Sequence, residues 1–356
     1  MFGLGKSLKP VVGLDIGSSA VKAVELKPSG KSFRVSAFGI EPVPPDSIVD
    51  GAIIDGAAVS DAIQRLFENK AFKTKEVAAS LSGNAVIVKK ISLPVMSEAE
   101  LSESIYWEAE QYIPFDIQDV NLDYQILDSG KGGDGKGTMD VLLVAAKKDK
   151  IADYTSVIAQ SGRTPIIVDV DAFALQNAFE ANYGFESSRV VVLLNAGASA
   201  ININIVQGDQ SVFTRDISIG GNAYTEAVQK ELGLPFEAAE QLKKGIPVDG
   251  ATFEDAQPVL RAVTENVLLE VQKTLEFFKA AASVDHVDRV VLSGGVSRIE
   301  GLRERLQERL QAPVEHFDPF KVVAWDARKL GGTDAADVSA TAAVAVGLAL
   351  RQVGDR

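Results

Sequence analysis

Two stretches of this chain carry the same pattern, and that repetition constrains the fold more than any other feature. "VVGLDIGSSAVKAVEL" (11–26) and "VVVLLNAGASAININIV" (190–206) each run an apolar strand into a glycine turn and out into a second strand. In the first, Val11, Val12 and Leu14 read as buried, while Val21, Ala23 and Leu26 interleave with Lys22 and Glu25 as on a half-exposed strand. Asp15-Ile-Gly17-Ser-Ser-Ala20 and Asn195-Ala-Gly197-Ala-Ser199-Ala200 share one spacing, and a third strand follows each pair, at 33–41 and 210–219. A meander met twice with its turn in the same place predicts a duplicated domain with a cleft between the copies. The chain has 356 residues, more than one hydrophobic core usually serves, which also predicts two lobes.

Between the meanders the pattern changes character. A helix is expected over 57–68, with Val59, Ile63, Leu66 and Phe67 at helical spacing, then strands at 76–81 and 84–93. "SEAELSESIYWEAEQYIPF" opens with Ser97 and Glu100 in capping-box spacing, carries Leu101, Ile105, Ala109 and Tyr112 along one face, and stops at Pro114. Strands at 121–128 and 138–146 flank the glycine-rich "SGKGGDGK", and a helix at 149–160 and a strand at 164–170 follow. Residues 90–163 thus read as a compact α+β insert. Helices are expected at 221–231, 236–243 and 254–280, a strand at 289–295, a helix from about Ser297 to 310, and a last helix over 335–350.

Charge and composition exclude several function classes. A net charge of −13 offers no basic surface for nucleic acid or for adsorption to anionic lipid. There are no cysteines, so thiolate chemistry and disulfides are absent, and His286 and His316 are too scattered for a zinc site. Asp15 interrupts the N-terminal apolar run too early for a signal peptide. The longest apolar stretch, "ATAAVAVGLAL" (340–350), is short of the roughly 20 residues of a membrane span, so a cytoplasmic location without direct membrane insertion is expected.

Four motifs can carry chemistry. "DIGSS" is either an ordinary hairpin turn or a phosphate cradle, in which backbone N–H groups and the Ser18 and Ser19 hydroxyls meet anionic oxygens while Asp15 faces magnesium. "VVLSGGVSRIEGL" (290–302) is either a flexible strand-to-helix turn or a surface on which a flat ligand ring lies against Gly294 and Gly295. Glu240 and Lys243, three apart on a helix, are either a solvated ion pair or, if they face a cleft, a hold for ribose hydroxyls. Asp171, in "VDVDAFAL", opens a helix directly after a strand as an N-cap would, and is the one acid offered for a catalytic role.

The order of these motifs resembles that of the actin-like ATPase superfamily, whose members include actin, the 70-kDa heat-shock chaperones, sugar kinases and the division protein FtsA. "DIGSSAVKA" resembles the actin phosphate-1 motif, including Lys22 after the acid, and "LSGGVSRIEGL" resembles the adenosine motif, with Arg298 where the chaperones place an adenine-stacking arginine. The insert resembles the displaced subdomain of FtsA, and "EAEQYIPFDIQDV" is similar to a segment of the PilM family, the actin-like component of type IV pilus assembly machines.

The resemblance implies an α/β, actin-like fold of two ribonuclease-H-like lobes around a nucleotide cleft. It implies these divisions: first lobe 1–89, insert 90–163, return to the first lobe at 164–188, second lobe 189–222, its helical part 223–285, second lobe again at 286–334, and a C-terminal helix returning to the first lobe over 335–356. ATP or ADP with Mg2+ is the implied cofactor. Gly17, Ser18, Ser19, Lys22, Gly197, Ala198 and Ser199 would contact phosphate, Glu240 and Lys243 the ribose, and Gly294, Gly295 and Arg298 the base. Asp15 and Asn195 would reach the metal through water. Most relatives carry aspartate where Asn195 stands, so at most slow hydrolysis is expected.

The implied partner is the N-terminal cytoplasmic tail of a PilN-like membrane protein, bordered by Tyr112, Ile113, Pro114 and Phe115, with other inner-membrane pilus components beyond it. The protein would then sit peripherally at the inner membrane, with self-association left open. A filament-forming division ATPase like FtsA and a small-molecule kinase of the same superfamily are the alternative readings.

Overall fold

The computed structural model describes residues 10–68, 72–128, 137–282 and 284–355. The glycine-rich loop expected at 129–136 and the first nine residues lie outside these. The first meander is β1 (Val12–Ile16), β2 (Ala20–Ser29) and β3 (Ser32–Pro42), antiparallel throughout. A short hairpin, β4 (Ile48–Val49) and β5 (Ala52–Ile53), precedes α1 (Gly56–Glu68), and β6 (Glu76–Leu81) then runs parallel to β1.

The chain leaves this sheet to build a smaller one. β7 (Val86–Pro94), α2 (Glu98–Ala109), β8 (Val120–Asp128) and β9 (Thr138–Lys147) give a three-stranded antiparallel sheet in the order β7-β9-β8 with α2 packed on it. The capping box at the start of α2 is present: the Glu100 N–H donates to Ser97 Oγ, and the Ser97 N–H donates to the Glu100 carboxylate. Leu101, Ile105 and Ala109 lie inward against Ile91, Leu93, Val141 and Leu143.

α3 (Lys148–Gln160) leads back to β10 (Thr164–Val170), which pairs in parallel with β6 and completes the sheet order β10-β6-β1-β2-β3. Although α3 falls within the 90–163 span, its Tyr154, Val157 and Ile158 pack with α1 in the first-lobe core. By packing, the insert closes at Lys147.

After α4 (Asp171–Tyr183) the plan repeats. β11 (Glu186–Ala196), β12 (Ile201–Gly208) and β13 (Gln210–Ile217) form the second meander. Next come α5 (Gly221–Leu232), α6 (Phe236–Lys243) and α7 (Phe253–Ala282). β14 (Arg289–Ser293), α8 (Leu302–Leu310) and β15 (Val314–His316) follow, both strands parallel to β11 in the order β13-β12-β11-β14-β15. The helix expected from Ser297 begins only at Leu302. A single 3-10 turn covers Gly295–Arg298, and the extended backbone of Ile299 separates it from α8. α9 (Ala335–Ala349) is the last element.

The two sheets share one layer of helices. Along β11, Val190, Val192 and Leu194 face the second-lobe core, while Val191 and Leu193 face α4 and α9. On β1, Val12, Leu14 and Ile16 face α1 and α3, and Gly13 faces α9. Strands covered on both faces must be apolar throughout, which is why these runs do not alternate with polar residues. α9 enters so closely that a Cβ on Gly13 would lie 2.0 Å from the Ala345 carbonyl oxygen, and one on Gly347 1.7 Å from that of Ala174 on α4. Among the described residues, no helix is long and apolar enough to cross a membrane.

Candidate functional site

The two glycine turns face each other between the sheets. In the β1–β2 hairpin the Gly17 N–H donates to the Ala20 carbonyl at 3.2 Å, and in the β11–β12 hairpin the Gly197 N–H donates to that of Ala200 at 2.9 Å. Ser18 Oγ donates to Ser199 Oγ at 3.0 Å, so the turns touch, with Ser19 exposed beside them. The β14 turn closes on the second hairpin. Gly294 has φ of +87°, and a Cβ there would lie 2.1 Å from the Ala196 carbonyl oxygen, which only glycine avoids. The first N–H groups of α5 donate into the same turn, Gly221 to the Gly197 carbonyl at 2.9 Å and Asn222 to that of Ala198 at 2.7 Å. Gly197, Ala198, Gly221 and Gly294 therefore form one wall.

The charges of the two hairpins differ. Asp15 and Lys22 stand directly opposite on β1 and β2, joined by an ion pair of 2.9 Å. At the matching place on β11 and β12 stand Asn195 and Asn202, with Asn195 Nδ2 donating to Asn202 Oδ1 at 3.2 Å. Ser293 Oγ donates to Asn195 Oδ1 at 3.4 Å. Asn202 Nδ2 donates in turn to Asp216 Oδ1 on β13 at 2.8 Å, and Asp216 Oδ2 accepts the Gly83 N–H of the first lobe at 2.5 Å.

Asp171 does not cap its helix. Val170 occupies the cap position, and Asp171 is the first residue of α4 with its carboxylate turned to β6, accepting from Ser80 Oγ at 2.5 Å. The strand continues through Val170, so the acid is already in the helical backbone and its side chain is free to point at the cleft. Burial, and then the nearby Asp15, push its pKa up to about 6 against the opposing hydrogen bonds of Ser80 and Ser82, with Asp216 adding to the rise. Among the described residues no group of three His, Asp or Glu could hold a metal ion. A cation here would be held through water, as magnesium commonly is.

Glu240 and Lys243 pair with one another and face the same wall. Lys243 Nζ also donates to Thr225 Oγ1 at 2.9 Å and to the Gly221 carbonyl at 3.1 Å, and Thr225 Oγ1 donates to Glu240 Oε2 at 2.6 Å. Burial would raise the Glu240 carboxyl, but the Lys243 ammonium and Thr225 hydroxyl hold it below its ordinary value; burial lowers Lys243. Beside Lys243 opens a crevice of about 210 Å³ lined by α7, Ile299, Glu300, Gly301 and Arg305. Gly295 is exposed, and Arg298, also exposed, donates to the Ala336 carbonyl at 3.3 Å.

On the insert, Ile113 is buried in the insert's own core, which leaves half-buried Tyr112 and Phe115 and exposed Pro114 at the end of α2. Lys89 Nζ lies 5.1 Å from the Tyr112 ring centre and Lys147 Nζ 4.3 Å from that of Phe115. Trp107 is 72% exposed. The sequence reading did not single out Ser80, Ser82, Asn202, Asp216 or Thr225. The pair Gly220-Gly221 before α5 was a usable signal, since a glycine pair between strand and helix marks close backbone approach.

Comparison with known proteins identifies the family and the fold. Residues 13–353 match the family described as type IV pilus assembly protein PilM. A solved chain of a "PilM-PilN type IV pilus biogenesis complex" matches with a TM-score of 0.85 and 30% identity over 98% of this chain and 100% of that one. The cell division protein FtsA of Bacillus subtilis is 21% identical over 90% of this chain and 81% of its own length. MreB 5 of Spiroplasma citri bound to AMPPNP, at 14% identity, has a TM-score of 0.52 over 96% of this chain and 95% of its own. The fold is that of the actin-like ATPases.

Proposed function

The chain belongs to the PilM family of type IV pilus assembly proteins, and from that premise we propose that it binds ATP or ADP with magnesium between its lobes and docks the cytoplasmic tail of a PilN-like membrane partner. The observation that carries the nucleotide reading is the apposition of the two glycine turns, joined by Ser18 and Ser199 and walled by Gly221 and Gly294. Gly17, Ser18, Ser19, Lys22, Gly197, Ala198 and Ser199 would meet phosphate oxygens, and Glu240 and Lys243 the ribose. Gly294, Gly295 and Arg298 would face the base.

The donors fit a hydrated magnesium ion. Asp15 offers a carboxylate and Asn195 an amide oxygen, both hard ligands reached through water, and a cation there would also relieve the repulsion that Asp15 adds to the burial of Asp171. Magnesium bound there supplies charge stabilisation for the phosphates. This chain's own part is to position: the turns hold the phosphate oxygens, Lys22 steadies Asp15, and Asp171 would orient a water. With an amide rather than a carboxylate at Asn195, turnover is slow.

Tyr112, Pro114 and Phe115 would border the groove for the partner's tail, between the insert and the first lobe. The partner then holds the protein at the inner membrane. Thermal melting with each ligand tests both halves of this reading. Mg·ATP at a hundred times its dissociation constant adds about 2.7 kcal/mol and raises the melting temperature by a few degrees. A synthetic tail peptide raises it in the wild type and less in Phe115→Ala. A melting curve indifferent to Mg·ATP removes the nucleotide reading, and equal response of the two proteins to the peptide moves the groove elsewhere.

A further inference from the structure

The insert belongs to the first lobe by covalent connection, yet it is tied to the second. Its root is the turn between β6 and β7, and there the Gly83 N–H donates to Asp216 of β13 at 2.5 Å. Further out, Gln210 Nε2, at the start of β13, donates to the Leu127 carbonyl of β8 at 3.2 Å. Both ties come from one second-lobe strand, so rotation of one lobe against the other must be absorbed at the insert.

The same turn is wired into the cleft. Asp216 is the last member of the series Ser293, Asn195, Asn202, Asp216, whose links of 3.4, 3.2 and 2.8 Å start beside the second glycine turn. On the other side, Ser80 at the end of β6 donates to Asp171 at 2.5 Å. The Ser82–Gly83 turn therefore lies between one acid of each half of the cleft and leads directly into the insert. The Ser18–Ser199 contact of 3.0 Å joins the turns hydroxyl to hydroxyl, and a phosphate that takes both hydroxyls breaks it and frees one turn to move against the other.

We propose that the Ser82–Gly83 turn is the link through which occupancy of the cleft sets the orientation of the insert, with Asp216 and Gln210 as its second-lobe anchors. Parting of the glycine turns draws β13 away from the root of the insert, opening the Gly83–Asp216 hydrogen bond and tilting the surface that carries Tyr112 and Phe115. The link rests on the nucleotide reading above, and it makes the two sites thermodynamically reciprocal: whatever tail binding does to the tilt, it also does to nucleotide affinity.

Hydrogen exchange of the full-length protein tests this, with and without Mg·AMPPNP, read over residues 82–94 and paired with melting curves of the same samples. In the wild type, nucleotide raises the melting temperature and speeds exchange of this segment about fivefold or more. In the Asp216→Ala, Gln210→Ala protein the melting shift persists, but the segment exchanges fast from the start and does not respond. Asp216 is exposed, so its removal opens no space in the core, and Asn202 Nδ2 is the buried group that loses an acceptor with it. A melting shift with unchanged or slowed exchange in the wild type overturns the link, and a response that survives in the double variant overturns the role of its anchors. Absence of any melting shift overturns the nucleotide reading itself, and the link with it.

Discussion

The two hairpins have one backbone and two electrostatic designs. Asp15 faces Lys22 and Asn195 faces Asn202 in the same register of the same meander, so the difference belongs to the side chains alone. The first hairpin keeps its acid at the turn and neutralises it at once with an ammonium. The second is neutral at the turn; its acid, Asp216, stands one strand further out, opposite Asn202, and two amides carry the hydrogen bonding between them. The scaffold occurs twice. The chemistry is divided between the copies, with fixed charge on one side and a directional hydrogen-bond series on the other.

The comparison breaks most sharply at the strand ends that flank each hairpin. Gly294, after β14, and Gly83, after β6, both have positive φ, but only Gly294 lies against backbone, while a Cβ on Gly83 would meet nothing nearer than the Asp50 carbonyl oxygen at 3.6 Å. Gly294→Ala should cost about 3–5 kcal/mol in denaturant unfolding, from strain and overlap together, and Gly83→Ala about 1 kcal/mol from strain alone. Equal costs would mean that the second hairpin is not locked by its neighbour as described.

A smaller effect separates the hairpins by pH. Asp171 sits on the side of Asp15, and its native pKa of about 6 lies above the ordinary aspartate value of 3.8. The native state therefore holds more protons than the unfolded chain between those values, and stability falls as pH rises from about 4 through 6. Asp171→Asn should remove a slope worth about 2 kcal/mol, after allowance for partial exposure, from the ligand-free protein's stability between pH 4 and 7. If the variant keeps the wild-type slope, a carboxyl other than Asp171 carries it.

The smallest change sharpens the comparison by converting one hairpin toward the other. Asn195→Asp places an acceptor against Asn202 Oδ1. The amide must turn to donate and then loses Asp216, at a cost of about 1 kcal/mol, while hydrolysis of Mg·ATP rises. Adding Asp216→Asn reverses the two links through Asn202 while Ser293 still donates to position 195, with every donor again matched, so the double variant recovers the lost stability and keeps the faster turnover. Unfolding and phosphate-release measurements on the three proteins would show it. A single variant that hydrolyses more slowly, or a double variant less stable than the single, contradicts the series.

Much of this was readable from the chain because the informative contacts were local. Asp15-to-Ala20 and Asn195-to-Ala200 fix their turns within six residues, and the apolar runs of β11 and β14 announce strands buried on both faces. What escaped depends on pairs far apart. Nothing near Gly83 marks Asp216 as its partner, and nothing in "VDVDAFAL" says that Asp171 turns to Ser80 instead of capping α4. The amphipathic face of α3 shows that it packs, not that it packs with α1 rather than with the insert. Very short strands such as β4, β5 and β15 carry too few residues for a period, and pairing alone defines them.

The close seat of α9 has a consequence for how the molecule is made. Gly13 on β1 and Ala174 on α4 both wait for a helix encoded near the far end of the chain, because Ala345 and Gly347 are what cover them. The opening meander precedes α9 by about 300 residues, so one face of its sheet stays bare until that helix has been made. The second lobe, whose core residues run almost contiguously from Val190 to Val314, can condense before that. The first-lobe core between Val12 and Ile158 can likewise form early, so what matures last is the shared layer, where α4 and α9 cover the facing sides of both sheets.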